Sequence, residues 1–125
     1  MCGISGYISE RQLIKKDSLI DTIKLMKLRG PDFNNYITKD YKSKKLALLH
    51  TRLNIIDLND RSNQPFIDEN LILIFNGEIY NFLEIKEKLK DKYEFRTNSD
   101  TEVLMKAYME YGENCVDHFI GMWAF

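Results

Sequence analysis

The chain has 125 residues, which is the length of one ordinary domain with a substantial core. Hydrophobic residues make up 44% of the chain and aromatic residues 12%, a composition that excludes an intrinsically disordered protein. Its 18 basic and 19 acidic residues leave a net charge of -1, so the charge predicts neither nucleic acid nor an anionic membrane as a partner.

Cysteine and histidine usage argues against a disulfide scaffold and a metal site. Cys2 and Cys115 are too few for a disulfide framework and lack the paired spacing of zinc ligands. His50 and His118 have no partner at metal-ligand spacing. The chain opens without a secretory signal and contains no apolar run long enough to span a membrane. We therefore expect a cytoplasmic protein without a metal.

The first half of the chain predicts a strand, a helix and a hairpin. "GISGYIS" is a short apolar run with glycine punctuation, typical of a strand. "DSLIDTIKLMKLRGPD" has apolar residues at helical spacing, a cap at Asp17 or Ser18, and a stop at Gly30 and Pro31. "NYITKDYKSKKLALLHTRLNIID" predicts a hairpin whose turn lies in the lysine-rich middle.

The second half predicts a loop, a buried strand, two helices and a final strand. "DRSNQPFIDEN" is the predicted loop, and "LILIFNG" is a continuous apolar run typical of a strand covered on both faces. "NFLEIKEKLKDKY" and "NSDTEVLMKAYMEYG" are the predicted helices, the latter with a capping box of Ser99 and Glu102 and a stop at Gly112. "FIGMWAF" predicts a strand at the end of the chain.

The order of these elements predicts the fold class. Strands and helices do not strictly alternate, which favours an α+β fold with layered sheets over a doubly wound parallel sheet. The chain ends inside an apolar run, so we expect an excised or truncated piece of a longer protein. An unpaired apolar strand at that end would favour a homodimer formed by strand exchange.

Cys2 is the first candidate for chemistry. If Met1 is removed, Cys2 carries both a thiol and a free α-amino group, and the amine can act as a base beside the nucleophile. Gly3 would then leave room for a substrate against the backbone. On the dipeptide alone, a small buried hydrophobic residue in the first strand is the commoner interpretation.

Three further residues have polar groups that suit a substrate site. The Asn76 amide and the Gly77 N–H could both donate to a developing oxyanion, although an Asn-Gly turn is commoner. Arg52 lies in a strand-like pattern and could grip a carboxylate, or it could be a surface or salt-bridged arginine. By residue type alone, Asp100 is most simply part of a helix start and Glu78 most simply a turn residue.

Seven short motifs occur together in a recognisable order. They are "MCGI", "RGPD", "RLNIID", "QPF", "FNGEIYN", "SDTEV" and "GMWAF". In this order, from the first residue to the last, the chain resembles the glutaminase domain of the class II glutamine amidotransferases. "RGPD" with "RLNIID" and "NGEIYN" is similar to the asparagine synthetase (glutamine-hydrolysing) branch.

The resemblance implies a fold and a set of residue roles. The fold would be that of an N-terminal nucleophile hydrolase, a four-layer αββα arrangement with two antiparallel sheets, forming one C-terminally incomplete domain over residues 1–125. Cys2 would be the nucleophile, Asn76 and Gly77 the oxyanion donors, and Arg29 a supporting residue near Cys2. The residues implied to bind glutamine are Arg52, Leu53, Asn54, Ile55, Ile56, Glu78 and Asp100.

The resemblance also implies a reaction and partners. Glutamine would be hydrolysed to glutamate and ammonia through a cysteine acyl-thioester, without a cofactor. The ammonia would serve ATP-dependent amidation, such as asparagine synthesis from aspartate, in a C-terminal synthetase domain that uses ATP and Mg and is absent here. Two alternatives stay open: a non-catalytic glutamine-binding or assembly module of the same fold, and a glutaminase acting for a sugar or another acceptor.

Overall fold

The computed structural model describes residues 1–10 and 15–125. The strands are β1 (Gly3–Ser9), β2 (Phe33–Tyr41), β3 (Lys44–Arg52), β4 (Phe66–Asp68), β5 (Leu71–Leu73), β6 (Asn76–Ile79) and β7 (Gly121–Ala124). The helices are α1 (Lys16–Met26), α2 (Phe82–Leu89) and α3 (Asp100–Tyr111), with 3-10 turns at Asp60–Ser62 and Gly112–His118.

All strand pairs in the described residues are antiparallel. The larger sheet has the order β1-β3-β2, and two smaller sheets pair β4 with β5 and β6 with β7. The hairpin predicted in the lysine-rich region is confirmed, with β2 and β3 joined through a turn at Lys42, where φ is 54°. Helices combined with antiparallel sheets confirm the expected α+β class.

Strand β3 divides its side chains between the two faces of the larger sheet. Ala47 and Leu49 pack against Leu19 and Ile23 of α1 and form one small core. Because successive residues of a strand point to opposite faces, His50 and its even-numbered neighbours face the other way, toward the rest of the chain. The end of strand β3 therefore places His50 and Arg52 on the face opposite the core that Ala47 and Leu49 form.

Helices α2 and α3 build the second and larger core. Ile85 and Leu89 form the buried face of α2, as the apolar spacing predicts. The first eight residues of α3 are all buried, including the ionisable Glu102 and Lys106. The buried members of this core are Phe66, Leu73, Phe75, Ile79, Ile85, Leu89, Val103, Leu104, Met105, Ala107, Cys115 and Phe119.

Two predictions in the middle of the chain are wrong. The apolar run at 71–77 is not one continuous strand, because it is divided between β5 and β6, which lie in different sheets. The predicted loop at 60–70 contains β4, which pairs with β5 through a turn at Glu69, where φ is 48°. The composition of this segment predicted an irregular loop. Strand β4 was missed because its three residues are too few to show an alternating pattern.

The predicted helix caps are only partly right. Helix α1 starts at Lys16 without a side-chain cap, so the expected cap at Asp17 or Ser18 is wrong. It ends at Met26, four residues before Gly30. In α3 the Ser99 hydroxyl accepts from the Thr101 N–H at 3.1 Å, as a cap should. Glu102 does not return to the Ser99 N–H, because its carboxylate accepts from the segment just before the helix.

Strand β7 is confirmed, and it pairs with β6 along its whole length. Asn81 reinforces this pairing, since its amide nitrogen donates to the His118 carbonyl at 2.9 Å and its oxygen accepts from Ile120 N–H at 2.8 Å. No helix within residues 1–10 and 15–125 is long and apolar enough to cross a membrane.

Candidate active site

A cleft brings together residues from widely separated parts of the chain. It encloses about 520 Å³ with its open mouth included. Its lining combines the N-terminus, the end of β3, the following loop, β6 and the start of α3. The lining residues are Met1, Cys2, Arg52, Leu53, Ile55, Ile56, Ser62, Gln64, Phe75, Gly77, Glu78, Ser99, Asp100 and Thr101.

Cys2 lies half-buried at one side of this cleft. Its Sγ donates to the Leu53 carbonyl over 3.8 Å, and its own carbonyl accepts from Arg29 Nε at 3.1 Å. A Cβ at Gly3 would lie 2.5 Å from the Thr51 hydroxyl oxygen, so this position has no space for a side chain. Packing against Thr51 therefore requires a glycine at this position.

Arg52 is only 5% exposed, and its guanidinium is directed into the loop that follows β3. Nη1 donates to Asn63 Oδ1 at 2.7 Å and to the Asn59 carbonyl at 3.1 Å. Nη2 donates to the carbonyls of Ile56, at 3.3 Å, and of Asp57. Arg52 therefore shapes the cleft wall as well as supplying its positive charge, a structural role that the sequence interpretation missed.

The "RGPD" motif supports the end of β3 from outside the cleft. A Cβ at Gly30 would lie 2.3 Å from the carbonyl of Thr51, so only glycine allows this close approach. Asp32 donates its N–H to the Arg52 carbonyl at 3.0 Å, and its Oδ2 accepts from the Asn54 N–H at 2.8 Å. The motif thus holds Arg52 and the start of the following loop in place.

Glu78 and Asp100 add two acidic residues to the lining of the cleft. Asp100 is 5% exposed, and its Oδ2 accepts from the Ile79 N–H at 3.2 Å. Burial raises the pKa of Asp100, and the negative charge of Glu78 raises it further. A cation bound between the two carboxylates would relieve this repulsion, so this side of the cleft suits an ammonium group.

Two buried side chains bind the backbone of Phe75, a residue that lines the cleft. The Phe75 N–H donates to Gln64 Oε1 at 2.6 Å, and the Phe75 carbonyl lies 3.2 Å from His50 Nε2. Gln64 in turn donates to the Thr101 hydroxyl at 3.3 Å. Because Asn76 and Gly77 follow directly, these contacts fix the start of β6 before any ligand arrives.

His50 makes the stability of this arrangement depend on pH. Burial lowers the pKa of His50 to about 4, and its Nδ1 has no hydrogen-bond partner in residues 1–10 and 15–125, which suits a neutral imidazole donating from Nε2. Between pH 6.5 and about 4 the unfolded chain takes up a proton that folded His50 refuses. Stability is therefore present above this range and is lost as the pH falls through it.

We expect the free energy of unfolding to fall by about 3 kcal/mol between about pH 6.5 and pH 4 on account of His50. Urea unfolding at several pH values measures this loss. His50→Gln keeps a donor for the Phe75 carbonyl but cannot be protonated, so it should flatten the slope. His118→Gln is the control and should leave the pH dependence of stability unchanged. If stability depended on pH as steeply in His50→Gln as in His118→Gln, the assignment to His50 would be wrong.

Most of the residues singled out from the sequence converge on the cleft. Those that line it are Cys2, Arg52, Leu53, Ile55, Ile56, Gly77, Glu78 and Asp100. Arg29, Asn54 and Asn76 lie outside its lining: Arg29 contacts the Cys2 carbonyl, and the Asn54 N–H donates to Asp32. The Asn76 oxygen is buried and makes no hydrogen bond to the part of the chain that the structure describes.

Sequence reasoning missed several polar residues of the site. Ser62 and Gln64 line the cleft from the segment interpreted only as a loop, and Ser99 and Thr101 line it from the start of α3. The one signal for Gln64 was the "QPF" motif, which carried no role by itself. A buried side chain that binds the backbone of another segment leaves no periodic pattern in the sequence.

Comparisons with known proteins assign the chain to a family. A family model described as a glutamine amidotransferase domain matches residues 1–125. The chain is 39% identical over 129 residues to an asparagine synthetase (glutamine-hydrolyzing) of Zea mays and 38% over 132 residues to asparagine synthetase (glutamine-hydrolyzing) 1 of Bacillus subtilis. It is 35% identical over 133 residues to asparagine synthetase B (glutamine-hydrolyzing) of Escherichia coli.

These alignments cover all of this chain but only a small part of each relative. The shares of the three relatives are 21%, 20% and 22%, so the chain spans about a fifth of their length. The family model, in contrast, extends over every residue of the sequence. The chain therefore belongs to the glutamine amidotransferase domain family.

Proposed function

We propose that this chain hydrolyses the side-chain amide of glutamine to glutamate and ammonia. The observation that carries the proposal is the cleft itself, in which Cys2, the loop held by Arg52, and the carboxylates of Glu78 and Asp100 meet from distant parts of the chain. Glutamine presents an amide, a carboxylate and an ammonium group. The cleft offers a nucleophile for the amide, a positive charge for the carboxylate and negative charges for the ammonium group.

The two charged ends of glutamine would be bound at opposite sides of the cleft. Glu78 and Asp100 would receive the α-ammonium group, which lowers the repulsion between the two carboxylates. The α-carboxylate would lie near Arg52 and the backbone of residues 53–56. Since the Arg52 Nη nitrogens donate to the loop, Arg52 would act there through its charge and by holding that backbone.

Catalysis would begin once Met1, which also lines the cleft, has been removed. The freed α-amine of Cys2 takes the thiol proton, and the thiolate attacks the amide carbon of glutamine. The C–N bond breaks as the amine returns that proton to the nitrogen, which leaves as ammonia. Water then attacks the thioester, releasing glutamate and restoring the thiol.

The oxyanion formed in each attack would be stabilised at the start of β6. Gly77 lines the cleft, and its N–H would supply one donor while the adjacent Asn76 would supply a second from its side-chain amide. The Asn76 oxygen is buried without a hydrogen bond to a described residue, so turning the amide toward the cleft gives up no contact at that atom. The contacts of Gln64 and His50 with the Phe75 backbone would keep both donors in position.

The same proposal extends to the fold and to the longer protein. The antiparallel sheets and helices fit an N-terminal nucleophile hydrolase fold with four layers, as one domain over residues 1–125. The relatives are named as asparagine synthetases and are about five times as long. We therefore propose that the ammonia serves amidation in a C-terminal synthetase domain, where ATP and Mg would be used, in the cytoplasm.

Three measurements on one sample test this proposal. Intact mass shows whether Met1 has been removed, and glutamate release from glutamine shows whether the chain is active. Hydroxylamine added to the reaction competes with water for the thioester and should yield glutamyl hydroxamate. Glutamate release without any hydroxamate, or a chain freed of Met1 that does not hydrolyse glutamine, would contradict the mechanism.

The raised pKa of Asp100 gives a further expected result. Asp100 attracts the ammonium group only when it is ionised, so the KM for glutamine should rise as the pH falls through that raised pKa. Asp100→Asn should raise KM by about tenfold at neutral pH and make it less dependent on pH. Kinetics from about pH 5 to pH 8 measure both effects.

The exposed Asp91 offers a matched control, because Asp91→Asn removes the same charge outside the cleft. Its KM should follow the pH profile of the unchanged chain. An Asp100→Asn variant with an unaltered KM would exclude Asp100 from the ammonium site.

A further inference from the structure

We propose that Asp57 is a positioning residue that sets the separation between the two sides of the cleft. The inference rests on the proposed function, because it assigns Asp57 a part in recognising glutamine. Asp57 does not line the cleft, and no role for it follows from the sequence pattern. The assignment comes from the contacts that its side chain makes.

The Asp57 carboxylate joins two segments that are far apart in the chain. Its side chain is 1% exposed. Oδ2 accepts from the Asn98 N–H at 2.8 Å, across 41 residues of sequence. Oδ1 accepts from the Asn59 N–H at 3.2 Å and from the Asn59 amide nitrogen at 2.9 Å.

This carboxylate stays charged although it is buried. Burial raises the pKa of Asp57, but the hydrogen bonds from Asn98 and Asn59 outweigh it and hold the pKa well below its usual range. Arg61 adds a positive charge, with its Nε 3.3 Å from Oδ2. Charge-assisted hydrogen bonds of this kind are stronger than neutral ones, so the connection is stiff.

Both segments that Asp57 connects contribute residues to the lining of the cleft. On one side, Arg52 donates to the carbonyl of Asp57 itself, so Asp57 belongs to the loop that forms the positive side. On the other side, Asn98 lies two residues before Asp100, at the approach to α3. The Asp57 bond to Asn98 thus links the carboxylate-binding side to the ammonium-binding side outside the space that a ligand would fill.

A tie of this kind affects only a substrate that contacts both sides. Glutamine does so through its α-carboxylate and its α-ammonium group. The analogue 4-carbamoylbutanoate has the same amide and carboxylate but lacks the ammonium group. Loss of the tie should therefore reduce the selectivity for glutamine, whereas a general loss of structure should reduce the hydrolysis of both compounds.

Asp57→Asn is the sharpest variant for this test. Asp57 has a φ of 49°, a conformation that asparagine tolerates as well as aspartate does. The variant therefore keeps the shape of the loop and removes the charge. Asp57→Gly also accepts positive φ and removes the whole carboxylate. Asp21→Asn, on the exposed face of α1, removes one charge far from these contacts and is the control.

We expect Asp57→Asn to lower kcat/KM for glutamine by about tenfold through KM, and to change kcat/KM for 4-carbamoylbutanoate by less than about twofold. Equal losses for the two compounds, or an unchanged glutamine KM, would overturn the proposal. Failure of both Asp57 variants to fold would show a purely structural role and would overturn it as well.

Hydrogen exchange separates this inference from the proposed function. The Asn98 amide proton should exchange faster in Asp57→Asn than in Asp21→Asn, whether or not the chain hydrolyses glutamine. Unchanged exchange at Asn98 would show that Asp57 does not hold this segment, even if the glutaminase activity is present. Faster exchange in a chain without activity would support the tie while the proposed function itself fails.

Discussion

Cys2→Ala is expected to lower glutamate release by at least about 1,000-fold, because it removes the only atom proposed to bond to the substrate. Glutamine should still bind, with an affinity within about threefold of that of the unchanged chain, because the charged groups at both sides of the cleft remain. Release of glutamate and equilibrium binding, measured on the same preparation, separate the two effects. Binding without turnover would identify Cys2 as the nucleophile.

Cys115 provides the matched control for this experiment. It is buried in the larger core, where burial raises the pKa of its thiol and keeps it protonated. Cys115→Ala should cost about 1 kcal/mol in stability and leave turnover unchanged. The assignment of the nucleophile would be wrong if Cys2→Ala kept full activity. It would also be wrong if Cys115→Ala lost activity while its unfolding midpoint stayed unchanged.

Arg52→Ala is expected to raise the KM for glutamine by about 100-fold and to destabilise the chain by about 3 kcal/mol. The substitution removes the positive charge of the cleft. It also leaves four acceptors on the loop without the donor that holds them. Steady-state kinetics and urea unfolding of the same variant measure the two losses.

Arg52→Lys separates charge from shape. A lysine keeps the positive charge, but its single ammonium group cannot reach four acceptors arranged around a planar guanidinium. If Arg52 acts through the loop, the lysine variant should resemble Arg52→Ala in KM. A lysine variant that binds glutamine as tightly as the unchanged chain would leave charge alone as the function of Arg52.

The predictability of the fold follows the length of each element. The helical stripe of α2, the hairpin of β2 and β3, and the first strand were predicted from apolar spacing, since each extends over enough residues to show a period. The division between β5 and β6 was not predictable, because the sequence stays apolar across it. Only the pairing partners, β4 and β7, determine where one strand stops and the next begins.

The site residues were predictable where the residue type itself indicates the chemistry. Cys2, Arg52 and Asp100 were found from residue type and from the resemblance, and the structure brings them to one cleft. Asp57 and Gln64 were not found, because they bind backbone groups of other segments of the chain. Which backbone group lies within reach of a side chain is a property of the folded chain.

The long-range contacts of the cleft determine when it can form. Cys2 reaches Leu53 across 51 residues, and Gln64 reaches Thr101 across 37. Contacts between residues so far apart close only after most of the chain has lost its conformational freedom. A fragment ending before α3 would keep the thiol and the arginine without a second side to the cleft. Recovery of glutamine binding is thus a stringent measure of complete refolding, stricter than recovery of helix content.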